Sequence, residues 1–365
     1  MVSQVLHLQV LDYLQQKGPI LIRKDKPPSM QMIAHVWKLK NESIPTEVWD
    51  AIESLIIDTR MFSKDEFAQA LHFTTVAVKN GVPVKELCIV AHRLSTEQCV
   101  ALCKLAPYLR CLWFVYCKLS AEFVDRMTRT IRSHPKRKFL LEGMFFIGCK
   151  LEEAHITRVV DCIKYIRAFY IADNKLNERS TKHLVDVIVE TGTAKGTPIF
   201  DWFGLHCCDL DDLCMKEVSR VSTLIRALSV NISDAPNKIS DRGIQFLMQS
   251  VVKGTIAAAK AKKKLKLESM VFSFDLEDME ITKQLSKCFS FVSNLALGHH
   301  DKLSAKCIDM MTYELLENKK KYKDIRLKSL WINKVSLPQW KEALNQRLGE
   351  HGIKLMNYEI YPDSK

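Results

Sequence analysis

The sequence lacks the features that mark membrane proteins, secreted proteins and the commonest enzymes. No run of 18 or more apolar residues occurs, so we expect no membrane span. The first residues carry no basic region ahead of their apolar positions, so we expect no secretion signal. Phosphate-binding GxxxxGK[ST] loops and the catalytic patterns GxSxG and HExxH are also missing. We therefore expect a protein that is not an enzyme and has no cofactor, no metal and no small-molecule substrate.

Cysteine is plentiful, but its distribution does not indicate a disulfide framework. The twelve cysteines are scattered along 365 residues, and several occupy apolar positions of predicted strands and helices. We interpret them as reduced, buried side chains of a cytoplasmic or nuclear protein. A zinc site at His206, Cys207, Cys208 and Cys214 is the alternative, but this cluster has no CxxC pair.

An internal repeat organises the chain from residue 84 onward. Apolar residues recur at offsets 0, 3, 5 and 10, with a Cys, Asn or His most often at offset 8. Six copies fit this pattern in register. They begin at Val84, Leu109, Leu141, Ile166, Phe200 and Leu327. Three less regular copies begin at Ile225, Leu267 and Val292, which gives nine candidate repeats.

Each repeat has the pattern of a short strand followed by a turn and a helix. Alternating apolar residues predict a strand with one buried face. The residue at offset 8 turns inward, where its side chain can bond the backbone of the turn; Cys117, Cys149, Asn174 and Cys208 are examples. Helical spacing of apolar residues follows, as in residues 120–131 and 178–190.

This pattern resembles the leucine-rich-repeat family, in its longer, ribonuclease-inhibitor-like subtype. The resemblance implies an α/β solenoid: a curved arc with parallel strands on the concave side and helices on the convex side. It predicts a helical N-terminal cap or small helical domain at 1–83, with helices near 3–16, 29–39, 45–58 and 63–79. It further predicts an arc of about nine repeats at 84–352, and a closing strand and tail at 353–365.

Short and long repeats alternate, and this alternation predicts a basic rim. The turn positions are 25, 32, 25, 34, 25, 42, 25 and 35 residues apart. The excess length falls mostly at 132–138, 190–198, 252–266 and 316–325, which we interpret as loops on one edge. Much of the net charge of +12 lies there. The predicted basic rim comprises Arg132, Lys136, Arg137, Lys138, Lys260, Lys262, Lys263, Lys264, Lys319, Lys320 and Lys321.

The middle residue of each predicted strand should point away from the core, onto the concave face. Three consecutive repeats place Trp113, Phe145 and Tyr170 side by side there, and exposed neighbouring aromatics are typical of binding hot spots. We predict a protein-binding aromatic stripe made of Trp113, Val115, Phe145, Ile147, Tyr170, Trp202 and His206. Two other outcomes stay open: the N-terminal helices cover these rings, or a register shift of one residue buries them.

The first expectation for function is therefore a protein-interaction scaffold or adaptor that binds a partner through the aromatic stripe. A second is a nucleic-acid or anionic-surface binder that uses the basic rim. A third follows from Ile44–Ile52, which is similar to the opening of an F-box and implies a substrate-recognition adaptor of a cullin-type ubiquitin ligase. Residues 61–73, MFSKDEFAQALHF, depart from the usual continuation of that motif.

Overall fold

The structure is a computed structural model, and it describes residues 54–58, 67–68, 71–72, 74–75, 86–90, 93–133, 141–195, 201–231, 238–260, 267–273, 283, 292–298, 306, 309–310, 312–314, 317, 327–333 and 341–358. Within these residues, no helix is both long enough and apolar enough to cross a membrane.

Eleven parallel strands form one sheet, and their spatial order is their order along the chain. Each strand is five residues long and pairs in register with the next. The strands are β1 (Ser54–Asp58), β2 (Glu86–Val90), β3 (Cys111–Val115), β4 (Gly143–Ile147), β5 (Ala168–Ala172), β6 (Trp202–His206), β7 (Ala227–Asn231), β8 (Ser269–Ser273), β9 (Asn294–Gly298), β10 (Ser329–Asn333) and β11 (Lys354–Tyr358). A sheet in strict sequential order, built from repeated units, is a solenoid-like α/β arrangement.

Helices follow the strands and share one apolar core with one face of the sheet. They are α1 (Thr96–Leu105), α2 (Ala121–Ser133), α3 (Glu153–Ile163), α4 (Glu178–Lys195), α5 (Asp212–Ser219), α6 (Asp241–Lys260) and α7 (Lys341–Gly349). Leu112 and Phe114 of β3 enter the same buried cluster as Phe123 and Met127 of α2. Polar side chains cap the N-termini of two helices. The Ser95 hydroxyl accepts a hydrogen bond from the Gln98 amide at the start of α1, and the Asp211 carboxylate accepts one from the Cys214 amide at the start of α5.

The different spacings of the strand layer and the helix layer favour a curved solenoid. Neighbouring strands lie about 4.8 Å apart, whereas packed helices need roughly 8–10 Å between their axes. Each helix from α1 to α6 contacts the next, and the strands they accompany are adjacent as well. We therefore expect the sheet on the concave side and the helices on the convex side, and we call the face of the sheet that points away from the helices the concave face.

The alternation of short and long repeats is confirmed, and it extends to both ends of the sheet. From β1 to β11, successive strands begin 32, 25, 32, 25, 34, 25, 42, 25, 35 and 25 residues apart. The longer repeats carry the longer helices: α4 has 18 residues and α6 has 20, against 11 in α3 and 8 in α5.

The predicted placement of the excess length in loops is wrong for much of these segments. Residues 190–195 lie in α4, residues 252–260 lie in α6, and residues 132–133 complete α2. Gly254 is tolerated inside α6 because α6 passes close to the preceding repeat: a Cβ at this position would lie 2.1 Å from Cγ2 of Thr223. Gly254 and the threonine after it predict the end of a helix, but tertiary packing continues α6 through them to Lys260.

The predicted helix at 45–58 is wrong at its C-terminal end. Ser54–Asp58 form β1, which pairs in parallel with β2, so the sheet begins before residue 84. A short apolar run such as Leu55–Ile57 fits a helix or a buried strand equally well, and pairing with β2 selects the strand. Further along, Phe67 and Leu71 are helical and buried in the shared core, as predicted for 63–79. The other predicted N-terminal helices, 3–16 and 29–39, lie outside the described residues.

A column of inward-pointing turn residues follows the strands, as predicted. The amide of Asn174 donates to the carbonyl oxygens of Phe146 (3.2 Å) and Ala172 (2.6 Å), and its oxygen accepts from the Leu151 amide (2.9 Å). The thiols of Cys117, Cys149 and Cys208 each donate to two backbone carbonyls in the equivalent places. Burial raises the pKa of Cys149 to about 12, so this thiol stays protonated and serves as a donor.

Candidate interaction surfaces

The structure brings the predicted aromatic stripe together on the concave face. Trp113 is the register partner of Phe145, and Phe145 is the partner of Tyr170. Val115 and Ile147 are paired in the same way two residues further along. These side chains belong to a second apolar cluster made only of strand residues and separate from the core shared with the helices. The register shift of one residue is therefore excluded.

The prediction that the stripe is exposed to solvent is wrong. Trp113 and Phe145 have 0% of their surface exposed, Tyr170 has 1%, and Trp202 has 7%. Val115 and Ile147 are equally buried, and only His206 is half-buried. Each large aromatic ring buries about 150–250 Å² of surface, so closing such a row to water is strongly favourable. The stripe is therefore closed to solvent. The N-terminal helices that were considered as its cover lie outside the described residues.

Ring stacking and small neighbours account for the packing within the stripe. The rings of Trp113 and Phe145 stack with centroids 3.8 Å apart, and those of Tyr170 and Trp202 stack at 5.1 Å. Glycines make room for two of the rings. A Cβ on Gly143 would lie 2.7 Å from the Phe145 ring, and one on Gly204 would lie 2.2 Å from the Tyr170 ring. Burial raises the pKa of Tyr170 well above its ordinary value.

His206 marks the end of the closed part of the concave face. Its ring lies 5.1 Å from that of Tyr170, and its Nε2 is 2.6 Å from the Ser229 hydroxyl on β7. Ser229 is itself buried, with 3% of its surface exposed. Aromatic packing therefore gives way to polar contacts between β6 and β7.

On β8 and β9, and at Ser329 on β10, the described side chains of the concave face are small and half-buried. Trp331 is the register partner of Ala296 on β10. Asn294 donates to the Ser269 hydroxyl at 3.1 Å, and the Ser329 hydroxyl donates to the Asn294 oxygen at 2.7 Å. Val271 and Ala296 are register partners in the next row. We call the following half-buried residues the open floor: Ser269, Val271, Asn294, Ala296 and Ser329. None of the five carries a charge, and all present small groups to a partner.

Charges alternate along the edge at which the chain enters the strands. The residue just before each strand from β3 to β8 is Arg110, Glu142, Arg167, Asp201, Arg226 or Glu268, in that order. Neighbours in this row form ion pairs: Arg110 with Glu142 at 2.6 Å, Arg226 with Asp201 at 2.9 Å, and Arg167 with Asp201 at 3.9 Å. Exposed ion pairs of this kind contribute little to stability. The alternation of charge nevertheless favours the observed order of strands over orders that would place like charges side by side.

The edge at which the chain leaves the strands has a different charge pattern. The residue after each turn position of four consecutive repeats is basic and exposed: Arg93, Lys118, Lys150 and Lys175. We call this row the exit ridge. No ion pair to any of the four occurs among the described residues, in contrast to the paired entry edge. The prediction from sequence missed this row, although its signal is a basic residue beside each inward-pointing turn residue.

Most of the predicted basic rim lies outside the described residues, namely Lys136, Arg137, Lys138, Lys262, Lys263, Lys264, Lys319, Lys320 and Lys321. Arg132 lies in α2 and not in a loop, with its guanidinium 3.9 Å from the Asp161 carboxylate on α3. Lys260 is the last residue of α6. The F-box-like Ile44–Ile52 also lies outside the described residues, so the ligase-adaptor hypothesis stays a prediction.

The cluster considered for zinc is divided by the fold. Cys208 is a turn residue of the column described above, and Cys214 lies buried in α5. Among the described residues, no group of three or more His, Cys, Asp or Glu side chains is arranged to hold a metal ion.

Comparison with known proteins gives no relative from which a function could be transferred: no protein-family model matches the chain, and no curated protein matches it either.

Proposed function

We propose that this chain is a leucine-rich-repeat interaction module whose protein partner binds the open floor of β8–β10. The observation that carries the proposal is the division of the concave face into a closed aromatic half and an accessible half with small side chains. The regular column of Cys and Asn turn residues supports the family resemblance.

The open floor suits a protein partner because it combines space with hydrogen-bonding groups. Val271 and Ala296 leave room for projecting side chains of the partner, which would supply the large anchors that binding requires. The hydroxyls of Ser269 and Ser329 and the amide of Asn294 lie beside them and can orient such a partner.

The proposal predicts that Ala296→Arg abolishes partner capture without unfolding the protein. The new side chain would project from the middle of the open floor, filling the space and adding an unpaired charge. Partners would first be identified by affinity purification of the wild-type chain with nuclease treatment, followed by mass spectrometry. We expect their retention by Ala296→Arg to fall by about tenfold or more, with an unchanged thermal unfolding midpoint.

Ala154→Arg on α3 is the matched control, because Ala154 is exposed on the convex side and the substitution is identical. It should retain every partner. Equal retention by both variants would contradict binding at the open floor, and loss by Ala154→Arg alone would place the binding surface on the helices.

A further inference from the structure

We propose that the exit ridge, Arg93, Lys118, Lys150 and Lys175, is a binding site for the phosphate backbone of single-stranded nucleic acid. This site is separate from the open floor and from the predicted basic rim. Along the chain, the predicted rim precedes strands, whereas the ridge follows strands at the opposite edge of the sheet.

The geometry of the ridge is that of a single file of cations. Arg93 and Lys118 are joined by a parallel β-bridge, and Lys150 and Lys175 occupy the same repeat position on the next two repeats. Because adjacent strands lie about 4.8 Å apart, the four positions span roughly 14 Å along the edge. Buried turn residues beside three of them, Cys117, Cys149 and Asn174, fix their backbone. The array is therefore preformed.

Like charges in neighbouring positions are unfavourable, and this chain avoids them on its other edge. Between β3 and β8 the entry edge alternates cation with anion, and its members pair with each other. The exit ridge places four cations in succession instead, and it ends only at Asp209, which pairs with Lys238 at 4.0 Å. An anionic ligand would reduce this repulsion, which no ion pair within the described part of the chain compensates.

Acidic side chains also lie near the ridge, among them Asp173 and Glu178, and three of those in the first turns of the helices bond elsewhere. Glu97 accepts from the Ser95 hydroxyl at 2.8 Å. Glu122 pairs with Arg126 at 3.3 Å, and Glu153 pairs with Arg179 at 3.1 Å. Among the described residues, no acidic side chain forms an ion pair with a ridge cation, which leaves the four cations available for an external anion.

Two features favour a single nucleic-acid strand over an acidic protein. A single file of point charges follows one phosphate backbone, and three of the four members are lysines, which bind phosphate without directional demands. Tyr116 precedes Cys117 at the same edge, is 43% exposed, and lies against Gly148, so one face of its ring can stack on a base. With one aromatic ring, such binding would depend on salt far more than on sequence.

The test measures binding of a fluorescent 20-nucleotide oligo(dT) and oligo(U) to the full chain across a series of salt concentrations. The variant is Lys118→Gln, Lys150→Gln and Lys175→Gln together. The control is Lys104→Gln, Lys182→Gln and Lys216→Gln, which removes the same charge from exposed helical positions. Each lost phosphate contact lowers the slope of log affinity against log salt by about 0.7, so the ridge variant should lose about 2 from that slope. The control should keep the wild-type slope.

Equal slopes for the ridge variant and the control would overturn the proposal, because binding would then follow net charge or another basic segment. Absence of binding by the wild-type chain at low salt would overturn it as well. Labelled polyglutamate is measured in parallel. If the ridge variant loses affinity for polyglutamate while oligonucleotides never bind, the ridge is a site for acidic protein segments and the proposal is wrong.

Discussion

Replacing Phe145 with alanine is expected to lower the free energy of unfolding by about 3–5 kcal/mol. The Phe145 ring is fully buried, stacks on Trp113 at 3.8 Å and packs against Trp202 at 5.6 Å, so its removal leaves a cavity between three strands. Urea unfolding monitored by tryptophan fluorescence would give the free-energy difference.

The matched control for this loss is Tyr108→Ala, which removes a ring that is 38% exposed just before β3. We expect a loss of less than about 1 kcal/mol there, as for most exposed positions. A loss at Phe145 as small as that at Tyr108 would mean that the stripe is not an interior layer. The predicted exposure of the stripe would then have been correct.

Replacing Asn174 with alanine is expected to cost about 3 kcal/mol or more, although alanine fits easily in its place. The substitution leaves the Leu151 amide and the Phe146 carbonyl without the Asn174 side chain, whereas the Ala172 carbonyl keeps the Gly148 amide as a donor at 2.8 Å. Each buried unsatisfied group costs about 1–3 kcal/mol. Hydrogen exchange at the Leu151 amide should rise together with the loss of stability.

Asn174→Cys provides the control that the chain itself suggests. Cysteine occupies the equivalent turn position in three other repeats and donates to two carbonyls there. A thiol accepts hydrogen bonds weakly, so the Leu151 amide stays poorly satisfied and the expected loss is intermediate, about half that of alanine. Equal losses for the two variants would contradict the role assigned to this column.

Much of the fold could be predicted from the sequence because it depends on local periodicity. The offsets of Leu112, Phe114 and Cys117 repeat along the chain, and they place the strands from β2 to β10. They also place the described turn residues Cys117, Cys149, Asn174 and Cys208. The alternation of repeat length is likewise a property of spacing alone. The alternation extends beyond the predicted range by one long repeat at the start, which begins at β1, and by one short repeat at the end, which leads to β11.

The predictions that failed concern properties that spacing does not determine. Alternation shows that Trp113 and Phe145 share a face, but solvent exposure depends on what packs against that face. Leu55–Ile57 could be assigned to a strand only through the pairing partner that β2 supplies. The length of α6 depends on its approach to Thr223, which a glycine permits and a local pattern cannot reveal.

The proposed binding surfaces differ from those predicted from the sequence, and the difference has a physical reason. Large aromatic side chains are as well suited to an interior layer as to a hot spot, so their presence alone does not locate an interface. Burial moves the proposed protein contact from the aromatic stripe to the open floor. The entry edge has its charges in ion pairs, whereas no ion pair to the exit ridge occurs among the described residues. This contrast identifies the exit ridge as a charged surface, which composition alone does not distinguish from solvated loops.

The central claim is that the concave face is divided into a closed aromatic half and an accessible half, and hydroxyl-radical footprinting with mass spectrometry tests it most directly. The account predicts slow oxidation of Trp113, Phe145 and Tyr170 in the native protein, and fast oxidation of the exposed Tyr108 and Tyr116. In urea the two groups should become equally reactive. Native oxidation of Trp113 and Tyr170 at the rate of Tyr116 would contradict the division and return the aromatic stripe to the candidate contact surfaces.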